Sequence, residues 1–180
     1  MADLLHRSGL YLAAVLSLLA AAVGDVVAGQ RRNDAFNEQE IERIREAQEI
    51  DRRTEVFLKL ATRRLNALEG RPDQLHKREE WGEPPSGTPR QLLDAYTRIL
   101  DELADKLDAA AETKGEKDPK LRKALARLRH EMESHIVRLE RLAVTDDELA
   151  VYRAALQTAR MLLDGASHAL SSSGLPAPQN

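Results

Sequence analysis

Few side chains in this chain of 180 residues could do chemistry, and their spacing decides what they could hold. Five histidines, three methionines and no cysteine leave imidazole, thioether and carboxylate as ligands. A di-iron site in a helical bundle needs Glu-x-x-His, which sets two ligands one turn apart on an inward face. The residues three before His76, His130, His135 and His168 are Asp73, Arg127, Met132 and Gly165. Of these four, Asp73-x-x-His76 alone has the spacing, and it lies in a polar link without a repeat. Covalent haem needs Cys-x-x-Cys-His, which this chain lacks. Met132, His135, Met161 and His168 remain as candidates for a metal or a non-covalently held haem in a redox bundle. The plainer expectation is that both methionines fill core space and that no cofactor is held. On that view His135 flanks the apolar stripe of its helix near Glu131, and His130 points to solvent.

Hydrolytic chemistry fares no better. Ser171, Ser172 and Ser173 stand in a tail rich in Gly, Pro and Ala, where a nucleophile would have no scaffold. No Gly-rich phosphate loop, HExxH or GxSxG string occurs, and paired carboxylates are too common on helix surfaces to discriminate. We therefore expect no enzyme and no catalytic residue. The candidate binding residues are Trp81, Ile41 and Ile44. Trp81 is the only tryptophan and lies in the long link Arg71–Gly87, either capping the bundle near Leu68 and Leu92 or standing exposed as an anchor.

The elements that must position these residues are helices. Charged residues make up 32% of the chain and aromatics 3%, with little of the β-branched content that strands use. Caps mark four helices, approximately 37–69, 88–114, 118–143 and 145–170. Asn37 with Glu40 and Thr88 with Gln91 form capping boxes, and Pro89 and Pro119 suit the first helical position. Gly70 is placed to end the first helix in a left-handed conformation. Thr145 with Glu148 starts the fourth.

Each helix carries one apolar stripe. Leu92, Tyr96, Ile99, Leu103, Leu107 and Ala110 form one, and Leu121, Leu125, Leu128, Met132, Ile136 and Leu139 form another. Tyr152, Leu156, Ala159, Leu163 and Ala166 repeat the pattern. Short links at Glu116-Lys117 and Val144 predict antiparallel neighbours, hence an all-α, antiparallel up-and-down four-helix bundle. Thr88–Glu116 holds seven acids and four bases and Asp118–Ala143 four acids and seven bases, which suits pairing of the second and third helices. In the first helix, Ile41 and Ile44 fall on the far side from Phe57, about 140–180° away at about 100° per residue. The helix must kink near Gln48 or present a second apolar face.

The start of the chain predicts an address. Arg7 precedes an apolar run from Gly9 to Val23, and Val26-Val27-Ala28 supplies small residues for cleavage, so residues 1–28 read as a secretory signal peptide. Fifteen apolar residues span about 22 Å as helix, short of the roughly 30 Å hydrocarbon core, which favours cleavage over anchoring and so no membrane insertion afterwards. Residues 29–36 then form a flexible lead and 171–180 a disordered tail. An exported chain with neither cysteine nor glycosylation sequon suits the bacterial periplasm or exterior. With 27 basic and 30 acidic side chains there is no excess charge to draw nucleic acid.

The run from Ile44 to Lys59, IREAQEIDRRTEVFLK, together with Leu92-Leu93-Asp94-Ala95-Tyr96, resembles uncharacterised exported bacterial helical-bundle proteins. The resemblance implies the helical fold and carries no activity. The expected role is interaction with an envelope protein or with a second copy of the chain.

Overall fold

The computed structural model describes residues 36–71 and 80–172, and the packed unit considered below begins at Asn37. The segment 1–28 expected to be a signal peptide, residues 29–35, residues 72–79 and those beyond Ser172 lie outside the described residues. Every regular element described is a helix: α1 Glu38–Glu46, α2 Ile50–Leu68, α3 Pro89–Lys114, α4 Pro119–Leu139 and α5 Leu149–Ser172. The protein is all-α over this range.

Local chemistry sets most boundaries. Asn37 accepts the amide of Glu40 at 2.8 Å, and Glu40 returns the bond to the Asn37 amide at 3.2 Å. Thr88 and Gln91 form the same box ahead of Pro89, and Asp118 accepts from the Leu121 amide at 2.8 Å. At the end of α2, Gly70 adopts φ +67°, and the amides of Gly70 and Arg71 reach back to the carbonyls of Ala67 and Asn66. That pair of bonds is the Schellman closure, for which the left-handed residue must lack a Cβ.

The first expected helix is two. It breaks at Ala47–Glu49, where the Ala47 carbonyl accepts from Arg53 Nε at 2.8 Å and that of Arg45 from Gln48 Nε2 at 2.6 Å. Side chains thus satisfy carbonyls that a continuous helix would have used, and α1 turns so that Glu40 is buried and Ile41 and Ile44 are half-buried. Two other boundaries differ from expectation. After Leu139 the chain tightens into short i→i+3 bonds at Arg141 and Leu142, so α4 stops before Ala143. Thr145–Glu148 forms a turn, its Thr145 amide donating to Glu148 Oε2 at 3.1 Å, and the Glu148 carbonyl serves as the first acceptor of α5, bonded by the Tyr152 amide at 2.9 Å.

The core comprises Phe57, Leu60 and Leu65 from α2, Tyr96, Ile99, Leu100 and Leu103 from α3, and Leu121, Leu128, Met132 and Leu139 from α4. Full burial of each aliphatic or Phe side chain among them is worth roughly 1.5–3 kcal/mol before entropy is counted. α5 differs. Its buried residues are Ala155, Thr158, Ala159 and Ala166, whereas Tyr152, Leu156 and Leu163 are only half-buried. The helix is rotated so that small side chains meet the leucines opposite.

Packing runs in the order α2, α3, α5, α4 and back to α2. Lys114 at the end of α3 pairs with Glu49 just before α2, whereas Lys120, Lys123 and Arg127 on α4 pair with Glu49, Asp51 and Glu55 in the same order along the chain. α2 and α4 therefore run parallel, with α3 opposed to both. The expectation that the short Glu116-Lys117 link makes α3 and α4 packed neighbours is corrected, because they touch little. The bases of α4 meet the acids of α2 instead, and the apolar stripes of α3 and α4 both face α2 and α5.

Candidate functional site

Three polar or apolar features could carry function, and two of them are occupied in holding the fold. In the first, Glu40 from α1 lies fully buried against Arg63 and Arg64 of α2. Its Oε1 accepts from Nη1 of both arginines at 2.5 Å, and its Oε2 from Nη2 of Arg64 at 2.6 Å. Arg63 also donates to the carbonyls of Trp81 at 2.9 Å, Gly82 at 3.2 Å and Glu83 at 2.9 Å. Asn37 Nδ2 adds a bond to the Trp81 carbonyl at 3.1 Å. Charges taken from water need such dense partnering, and these ties bind α1, α2 and the segment 80–83 together.

Trp81 is 4% exposed. Lys59 covers its ring with Nζ 4.7 Å from the centroid, and Arg43 approaches to 5.9 Å. Its neighbours are thus α1 and α2 side chains, and the indole is packed into the fold and not presented to solvent. Its Nε1 has no hydrogen-bond partner among the described residues. Gly82 beside it adopts φ +74°, and a Cβ there would stand 2.8 Å from Gln39 Oε1. Ile41 and Ile44 are half-buried on α1.

The second feature is His135, which is 1% exposed and so does not sit at the boundary where the stripe geometry places it. Thr62 donates its hydroxyl proton to the Leu58 carbonyl at 2.9 Å, so His135 Nε2, at 3.0 Å, donates to Thr62 Oγ1. Nδ1 then accepts from the Tyr96 hydroxyl at 3.2 Å. Burial, with the nearby Arg138 charge, pushes the His135 pKa down to about 3, and burial pushes that of Tyr96 up. Both ring nitrogens are thereby engaged within the protein. Of the other candidate ligands, Met132 fills core space as expected, but the same expectation for Met161 is corrected, because α5 turns it outward and leaves it exposed, as is His168. No group of three or more His, Cys, Asp or Glu that could hold a metal occurs among the described residues.

The third feature is an apolar cleft of about 320 Å³ where α3, α4 and α5 meet. α3 contributes Ala104, Leu107 and Ala111, α4 contributes Leu121, Leu125 and Leu128, and α5 contributes Leu162, Gly165, Ala166 and Ala169. Its walls explain the hollow. α5 sets three small residues opposite leucines, and interior packing leaves such a volume only where side chains are too short to fill it. A Cβ added at Gly165 would meet no atom within 4 Å. Asp108 and Glu116 are the charged residues of the lining, and Met161, 58% exposed, completes it. Because α3 runs its C-terminal half and α4 its N-terminal half along the C-terminal half of α5, α5 is parallel to α3 and antiparallel to α4.

Comparison with protein-family models, with curated proteins and with solved structures gives no match. Among the described residues, no helix is long and apolar enough to cross a membrane. The buried ionic cluster had one visible sign in the sequence: Arg64 falls four residues after Leu60 and three after Ala61, on the stripe itself. The cleft had a fainter one, the small residues Gly165, Ala166 and Ala169 on a single face.

Proposed function

We propose that this is an exported protein of the bacterial envelope, periplasmic or extracellular, that acts by non-covalent binding of a partner protein and not by catalysis. Its four long helices make an up-and-down bundle in which direction alternates along the chain. The apolar cleft supports the binding role: a hollow of about 320 Å³ edged by the exposed Met161 offers a hydrocarbon group a place to leave water. The tripartite pattern from Met1 to Ala28 supports export.

Site-specific photocross-linking tests the binding role. A photoreactive residue at position 161, in cells that express the full chain, should capture a discrete species, and the same residue in place of the exposed His130 on α4 should not. Equal capture from both positions, or none from 161, would overturn it. The haem- or metal-carrying alternative predicts a Soret band or stoichiometric metal in protein purified from its native host.

A further inference from the structure

We propose that the occupant of the cleft is a basic amphipathic helix of the partner protein. One or two of its apolar side chains enter between α3, α4 and α5, and a lysine or arginine beside them meets Asp108 and Glu116. The proposal rests on the binding role given above and adds the chemistry of the partner.

The walls call for hydrocarbon or aromatic groups, and the volume of about 320 Å³ is at the small end for a ligand site, enough for anchoring side chains. Shape favours a helix. The α5 wall runs from Met161 to Ala169, about 12 Å at about 1.5 Å per residue, which two apolar anchors one or two turns apart on a partner helix would match.

Charge favours a basic one. Asp108 and Glu116 line the cleft, and neither has an ion-pair partner among the described residues. Lys114 and Lys120, the bases nearest on either side of the turn, are drawn to Glu49 on α2 at 3.4 and 3.0 Å. That leaves Lys117 as the base within the turn itself. Along α3, Asp101, Asp105, Asp108 and Glu112 follow one another at steps of four, three and four, so an acidic edge extends beside the cleft. Arg122 and Arg129 stand beside Leu121 and Leu128 on the α4 wall, so the acidic edge is that of α3, where an acidic helix would meet like charge and a basic one its complement.

The test uses the full chain and a fluorescein-labelled 14-residue peptide with leucines at i, i+3, i+4 and i+7 and lysines elsewhere, read by fluorescence anisotropy. A counterpart with glutamate for lysine is the control. The lysine peptide should bind and the glutamate peptide should not. Gly165→Phe, which fills the cleft without altering charge, should weaken binding at least tenfold. The surface pair Asp108→Asn with Glu116→Gln should weaken it about tenfold, independently of any effect of Gly165→Phe on folding. Unchanged affinity in either variant, or equal binding of both peptides, would overturn the proposal. So would a dimer in sedimentation that Gly165→Phe abolishes, since the occupant would then be a second copy. If the peptide fails while position 161 still cross-links a partner, the basic chemistry falls and the binding role stands; if both fail, both fall.

Discussion

Glu40 and Arg64, 24 residues apart in the chain, meet through two hydrogen bonds of 2.5 and 2.6 Å at a point where the carboxylate side chain is 1% and the guanidinium side chain 5% exposed. Arg63 shares the same carboxylate, so one negative charge serves two positive ones. Glu40→Gln should cost about 3–5 kcal/mol, because it takes from two buried guanidiniums the carboxylate they share. Glu40→Met combined with Arg64→Met should cost less than the sum of the two single changes. Urea denaturation of the four proteins checks this. Strict additivity would mean that the buried bonds are not coupled.

His135 makes the fold acid-sensitive. Its pKa lies at about 3 in the fold, below the 6.5 of a free imidazole. Below pH 6.5 the unfolded chain binds a proton that the folded chain refuses, so the contribution of neutral His135 is present above that pH and is lost as pH falls towards 3. One such proton makes stability fall by up to about 1.4 kcal/mol per pH unit. Between pH 6.5 and 5, above the carboxylate range, His135→Asn should flatten the slope of unfolding free energy against pH. An unchanged slope would show that the imidazole is protonated in place.

Gly165 offers a gain in stability. It sits inside α5, where glycine costs about 1 kcal/mol relative to alanine, and an added Cβ meets nothing within 4 Å. Gly165→Ala should raise the melting temperature, by an amount corresponding to up to about 1 kcal/mol. A lower melting temperature would mean that the cleft is narrower in solution.

Trp81 reports on its own seat. Packed beneath Lys59 and Arg43, its fluorescence should be blue-shifted and poorly quenched by acrylamide. Trp81→Ala should cost about 3–5 kcal/mol, as for other large core truncations. Red-shifted, freely quenched emission with unchanged stability would instead describe an exposed anchor.

What was legible in the sequence is what depends on near neighbours. Asn37 with Glu40, Thr88 with Gln91, Asp118 and Gly70 all act within four residues, and their positions mark where helices begin and end. Glu40 also shows the limit of such patterns. Its bond to the Asn37 amide accounts for it locally, and nothing nearby betrays that the same carboxylate holds Arg63 and Arg64 from another helix. Which helices pack together was misread for a similar reason. The bases of α4 suit any acidic neighbour, and the acids of α2 compete with those of α3 for them. In α5, the expected stripe holds at Ala159 and Ala166, but its Tyr152, Leu156 and Leu163 are only half-buried, because small residues allow closer approach and Ala155 and Thr158 took the buried side with them. The cleft is a volume left unfilled by residues far apart in sequence, so only assembled geometry reveals it.

The ties at Arg63 also set an order of events. Asn37 and Trp81 are 44 residues apart, and α1 and the segment 80–83 are both held by the same arginine of α2. If α1 lifts away, Arg63 loses its carboxylate while Trp81 loses the cation from Arg43; if the segment leaves, Arg63 loses three carbonyls and Arg43 the Glu80 carbonyl. Neither departure leaves the other piece comfortably seated, so the two should detach as one cooperative unit with a single opening free energy. In folding, the nine residues of α1 must then wait for a contact more than forty residues downstream before their amides gain lasting protection.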